Sequence, residues 1–212
     1  MSNINVSKEG GIPISMQIII IVLSVALVSM ALLTAYKFFV REPTVDPKEN
    51  DLKFYLESLK QDPKDIDRIA ALGYAYQLAD KFPEARQQYL EVIKKNPKHL
   101  ASLYNLGVIA QKEKKYPEAE KYFNKAISYT PDHVLAGVGL GEVYLEMQQY
   151  NKAITTVDKM LKVRPDVVNL RLVKAKALEK KGEKPRAKAE YQQVLRFVPD
   201  NQDARDGLAR LK

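Results

Sequence analysis

The stretch LASLYNLGVIAQKEKKYPEAEKYFNKAISYTPDH, residues 100–133, contains two segments whose apolar residues recur at spacings of three and four. That spacing is the period of a helix with one buried face. A turn signal at about the seventeenth to nineteenth positions separates the two segments, and Pro131 closes the second. The same proline recurs along the chain: Pro63, Pro97, Pro131, Pro165 and Pro199 are each 34 residues apart. A period of this length marks a stack of supersecondary units, none of which can bury its apolar face alone.

Four units follow, at 66–99, 100–133, 134–167 and 168–201, and their columns agree. The seventh position holds Leu72, Leu106, Leu140 and Lys174, and the eighth Gly73, Gly107, Gly141 and Ala175. Small residues there allow two helix axes to approach closely. At the twentieth stand Ala85, Ala119, Ala153 and Ala187, and at the twenty-fourth Tyr89, Phe123, Val157 and Tyr191, so that small is set against large across the seam. Pro83, Pro117 and Pro185, with Asn151 in the third unit, fall at the opening of the second helix. A missing N–H costs nothing in a first turn. Asp132, Asp166 and Asp200 are placed to cap the helices that follow them.

In the second unit Leu103, Leu106, Gly107, Ala119, Phe123, Ala126 and Pro131 stand in the order of the tetratricopeptide repeat, which residues 66–201 resemble. The resemblance implies an all-α, right-handed α-solenoid of helix-turn-helix repeats. Departures occur at the fourth position, where Ile69, Leu103, Gly137 and Arg171 replace the family's tryptophan, and in the fourth unit, where Arg171 and Lys174 occupy normally packed sites. Residues 202–212 continue the phase, with Leu208 and Ala209 in the leucine and small-residue positions, as a solvating cap helix. A single helix over 51–61, presenting Leu52, Tyr55, Leu56 and Leu59, is expected to pack on the first repeat.

Ahead of the array no charged residue occurs from Gly10 through Tyr36. After a short tail, 1–13, residues 14–40 read as one N-terminal transmembrane helix, an anchor in the lipid bilayer, and 41–50 as a linker. A cleaved secretory signal is the alternative, although the run is long for one. Lys37, Arg41, Lys48 and Lys53 follow the span and only Lys8 precedes it, which favours a cytoplasmic array. The N-terminal amine adds charge to the first side, and the extracytoplasmic side stays open.

Function is expected on the surface of the stack. The family's first helices line a concave groove, which implies a protein or peptide partner met by Tyr74, Gln77, Tyr104, Asn105, Val108, Gln111, Leu135, Val138, Glu142, Asn169 and Leu172. The apolar members of this strip also suit packing between repeats. A carboxylate clamp of the kind some tetratricopeptide domains use on peptide termini is not matched, since only Asn105 agrees with it. The implied role is a membrane-anchored adaptor or assembly factor, with a permanent structural subunit of a membrane complex as the alternative.

The chain carries a net charge of +8, and Arg171, Lys174, Lys176, Lys180 and Lys181 form a basic cluster in the fourth unit. It reads as a solvated face, or as a contact for anionic headgroups or an acidic protein. Nucleic acid has the least support, because no aromatics interleave with the cluster and no nucleic-acid motif accompanies it. There is no cysteine, no phosphate-cradling glycine loop and no H-E-x-x-H. His99 and His133 share one repeat position and are read as products of repetition rather than as metal ligands. No catalytic, metal or cofactor site is expected.

Overall fold

The computed structural model describes the backbone of residues 14–39 and 47–212. Side chains are described at 15, 16, 19, 22–32 and 34 and from residue 50 onward. The chain forms two compact units, Met1–Asp46 and Pro47–Lys212. In the first, α1 (Ile14–Phe39) is a helix of 26 residues. Val22 to Leu32 are all exposed, on every face of the helix. Among the described residues no helix is long and apolar enough to cross a membrane.

The second unit contains α2 (Pro47–Gln61), α3 (Ile66–Leu78), α4 (Phe82–Lys95), α5 (Leu100–Lys112), α6 (Tyr116–Tyr129), α7 (Val134–Glu146), α8 (Tyr150–Val163), α9 (Val168–Lys181), α10 (Lys184–Phe197) and α11 (Gln202–Arg210). There is no strand among the described residues. The four units are the helix pairs α3/α4, α5/α6, α7/α8 and α9/α10, each packed on the next. First helices also approach one another closely, α3 with α5, α5 with α7, α7 with α9 and α9 with α11, whereas second helices meet through long side chains, as Arg86 of α4 does Glu118 of α6 and Lys152 of α8 does Glu120. First helices therefore form the inner row of an α-solenoid.

The small-against-large columns meet as their sizes require. A Cβ on Gly73 would lie 2.9 Å from the Tyr89 ring, and one on Gly107 2.6 Å from Phe123. Ala85, Ala119, Ala153 and Ala187 are fully buried. A second complementarity runs from each unit into the next. Phe123 is covered by Gly139 and Tyr191 by Gly207, where an added Cβ would approach to 2.6 and 2.3 Å, while Val157 and Val173 both touch Gly141. At the fourth position Ile69 and Leu103 fill the site themselves, whereas Gly137 yields its space to the Met160 thioether, which lies 1.7 Å from an ideal Cβ there.

Turns within the repeats show a backbone regularity that residue types hide. Asp80, Lys114, Gln148 and Gly182, the fifteenth residue of each unit, all have positive φ, at 57°, 58°, 57° and 85°. The following N–H then reaches back to close the first helix, as Lys115 N does to Ala110 O at 2.8 Å and Glu183 N to Leu178 O at 2.9 Å. This turn precedes the expected seventeenth to nineteenth positions, because Phe82-Pro83 and Tyr116-Pro117 already belong to the first turn of the second helix.

Several expectations are corrected. The caps are Asp65, His99, His133 and Asn201, one residue beyond Asp132 and Asp200, while Val167, after Asp166, caps without a side-chain bond. His99 Nδ1 accepts from Ser102 N at 3.2 Å and His133 Nδ1 from Ala136 N at 3.1 Å, so the repeated histidines cap helices. Helix α2 starts at Pro47, making 47–50 of the expected linker helical, because proline is preorganised for a first turn. The other linker residues, 41–46, together with residue 40 and the tail 1–13, lie outside the described residues. Leu56 is exposed, and Leu52, Tyr55 and Leu59 are the members of that set that pack with Leu72 and Ala75. Ala209 is exposed.

Candidate functional site

Positions 2, 5, 9 and 12 of the first helices lie on one face of the inner row. The structure divides the residues expected there. Tyr74 and Leu135 are exposed apolar side chains at 48% and 56%, and Glu142 and Asn169 are exposed polar ones. Gln77, Tyr104, Asn105, Val108, Gln111 and Val138 are half-buried, and Leu172 is buried.

Three of the apolar members serve packing. The Tyr104 ring stacks on His133 and tilts against Phe123, with both centroid distances at 5.9 Å. Burial raises the pKa of its phenol, and the nearby Glu142 carboxylate adds to the effect. Val108 packs on the central core and Val138 on Val157 and Met160. Gln77 accepts the Tyr89 hydroxyl at 3.2 Å, and Asn105 also faces that hydroxyl from the next repeat. These two residues thus belong partly to the first seam.

The rest converge. Gln111, Glu142, Asn169 and Leu172 line one depression of about 370 Å³ with Leu145, Glu146, Val173, Lys176 and Asp203. These residues come from α5, α7, α9 and α11, so four successive inner helices contribute. Gln111 Nε2 donates to Glu142 Oε2 at 3.2 Å across the α5/α7 step. Glu146 and Asp203 were missed in the sequence. Glu146 follows the twelfth position rather than occupying it, and Asp203 takes the second position of the helix that continues the phase, whereas the groove column was read over the four full units alone.

Most cations of the basic cluster are paired. Arg171 NH1 lies 3.1 Å from Glu190, and Lys174 Nζ lies 2.8 Å from both Glu190 and Asp158. Burial alone would lower the Lys174 pKa, and the two carboxylates more than offset it, holding the ammonium above its ordinary range. Lys176 pairs with Asp203 at 2.7 Å and Lys181 with Glu183 at 2.6 Å. Arg171 and Lys174 keep normally apolar sites because α8 and α10 supply the carboxylates of Asp158 and Glu190 there.

Helix α11 is held by similar pairing. Arg210 donates to Glu179 at 2.7 and 3.0 Å, and Tyr191 Oη donates to Glu179 at 2.6 Å. The Arg210 guanidinium holds the Glu179 carboxyl below its ordinary value despite partial burial. Burial and the carboxylate together raise the Tyr191 phenol's pKa. Among the described residues no group of three or more His, Cys, Asp or Glu is arranged to hold a metal ion.

Comparison with known proteins agrees with this geometry. No curated protein matches the sequence. Among solved structures, a tetratricopeptide repeat protein from Parabacteroides merdae superposes with a TM-score of 0.68 at 20% identity over 76% of this chain, which spans 64% of that protein, just under two thirds of its length. MamA from Desulfovibrio magneticus gives 0.66 at 19% identity, covering 73% of this chain and 88% of that one. YrrB, described as having an unusual peptide-binding site, gives 0.63 at 16% identity, covering 74% and 81%. These likenesses show the fold. Two sequence profiles described as tetratricopeptide repeat match residues 70–133 and 110–177, together about half the chain, and the protein belongs to the tetratricopeptide repeat family.

Proposed function

We propose that the protein is a membrane-anchored interaction scaffold whose concave groove takes a segment of a partner protein. The observation that carries the groove is the convergence of four inner helices on one depression, with Glu142 and Asn169 exposed there. Supporting the anchor is the apolar character of α1 on every face, since a helix hydrophobic all round belongs in a core or in a bilayer. Its 26 residues extend about 39 Å, against about 30 Å of hydrocarbon. The cations after the span favour a cytoplasmic array. With Arg171, Lys174, Lys176 and Lys181 already paired, the basic cluster gives little support to anionic lipid or an acidic partner.

Site-specific photocrosslinking in cells tests the groove. A photoreactive residue at Asn169 or Leu135 is expected to give a discrete adduct, whereas one at Lys188 or Thr155, exposed on second helices, is expected to give none. Equal adducts from both surfaces would overturn the groove reading. Alkaline carbonate extraction tests the anchor, since the full chain should stay in the membrane pellet and a chain lacking 1–46 should be released. A reporter fused after Lys212 that is active only outside the cytoplasm would reverse the orientation.

A further inference from the structure

The groove has an uneven charge that the net charge of the chain conceals. Its floor is apolar, made by Leu145, Leu172 and Val173, and its rim holds Glu142, Glu146 and Asp203. The only cation lining it, Lys176, is already bound to Asp203 at 2.7 Å. An adjoining depression of about 560 Å³ continues past Leu145, Glu146 and Lys176 to Glu179 and Arg210. Arg210 is committed to Glu179, and Lys180, at the far end, lies beside the same carboxylate.

Glu142 and Glu146 are one turn apart on α7, an arrangement in which like charges repel. Glu142 accepts only the Gln111 amide, and Glu146 has no hydrogen bond or ion pair among the described residues. Elsewhere on the same array carboxylates sit between cations: Glu113 pairs with Arg86 and Lys115, and Glu183 with Lys181 and Arg186. On a chain of net charge +8, Glu142 and Glu146 form a repulsive pair in the concave depression, where the one lining cation, Lys176, is already bound to Asp203.

We infer that the segment taken by this groove is basic and apolar, a polypeptide whose Lys or Arg side chain meets Glu142 and Glu146 while a neighbouring aliphatic side chain seats on Leu145 and Leu172. The inference rests on the groove reading above and adds the chemistry of the occupant. A small free cation would leave the apolar floor uncovered. An extended peptide covers it, and the amides of Gln111 and Asn169 beside it match a peptide backbone.

The test is selection of a phage-displayed random-peptide library on the full chain in detergent micelles, followed by fluorescence anisotropy of the enriched peptides. Expected are sequences with Lys or Arg next to Leu or Ile. Their affinity should fall about ten-fold in the double variant Glu142→Gln, Glu146→Gln and also with rising salt. The control Asp51→Asn, Glu84→Gln, which removes two exposed carboxylates outside the depression, should leave affinity unchanged. Equal loss in the control would reduce the effect to bulk charge and overturn the inference. Peptides without Lys or Arg that are lost on Asn169→Arg but not in the double glutamine variant would overturn it while leaving the groove reading standing. Peptides indifferent to every groove substitution would overturn both. Self-association of the full chain that the double glutamine variant abolishes would assign the depression to a second copy and overturn the peptide assignment.

Discussion

Replacing Gly139 and Phe123 together should be less damaging than the two single replacements summed. A Cβ at residue 139 lies 2.6 Å from Phe123 Cζ and 2.9 Å from Cε2, about 1 Å inside ordinary contact. The ring cannot retreat, because the Gly107 backbone closes its other side. Gly139→Val should therefore cost about 1–3 kcal/mol by overpacking. Phe123→Val removes about four carbons from a fully buried residue, a loss of about 3 kcal/mol at about 0.8 kcal/mol per carbon, before any cavity term. The double variant installs the set already present one seam later, where Val157 and Val173 meet over Gly141. Two valines carry nearly as many side-chain carbons as one phenylalanine and one glycine. The expected coupling is about 2 kcal/mol of recovery relative to the summed single effects. Urea denaturation of the full chain in detergent, followed by circular dichroism, measures it. Hydrogen exchange of the α6 and α7 amides localises it, which matters because solenoids can unfold by parts. Effects that add to within about 0.5 kcal/mol would refute size matching as what sets this seam.

Four further outcomes follow from the same structure. Gly182→Ala, whose Cβ meets nothing within 4 Å, should cost about 1 kcal/mol from the positive φ alone, and Gln148→Gly should gain about 0.5–1 kcal/mol at the equivalent turn, both read by urea midpoints. His133→Ala should cost about 1 kcal/mol and His133→Asp should restore the α7 cap, as amide exchange over the first turn of α7 would show. Glu190→Ala leaves Arg171 without its carboxylate and Lys174 with Asp158 alone, a loss of about 2–3 kcal/mol, whereas joint replacement of Arg171, Lys174 and Glu190 by leucine should cost less than that single change. The carboxyl of Glu179 has a folded pKa below its usual 4.5, so its contribution is present above that value and is lost as pH falls through the depressed one. Amide exchange should show α11 loosening first on acidification, and Glu179→Gln should remove that pH dependence.

The proline interval and the glycine, alanine and aromatic columns were enough to place four helix pairs, because each column reports a contact that every repeat makes with itself. Contacts between repeats were harder to read. Gly139, Gly207 and Val173 share one repeat position, yet they vary in size because each answers a different partner, so the column looks unconserved within the chain. Asn105 was assigned to the groove for the same reason, although it faces the Tyr89 hydroxyl. Position within the repeat is also silent about which way a charge turns. Arg171 and Lys174 point at Glu190, a carboxylate nineteen and sixteen residues away on another helix, so counting cations along the chain suggested a patch that the fold neutralises. The left-handed turn was hidden because Asp80, Lys114 and Gln148 occupy a conformation whose usual sign, a glycine, appears only at Gly182.

The matched seams give the array a fixed word order. A tandem copy of residues 100–133 would set Phe123 against another Asn105, whose amide would face a ring with no hydroxyl to offer it. Moving the cap behind the third unit would set Gly207 on Val157, with a void where the Tyr191 ring now fits. Such a chain cannot lengthen by simple duplication or exchange its units without refitting both sides of each new junction. The count of repeats, and with it the length of segment the concave row can read, is thereby held constant by packing rather than by the groove itself.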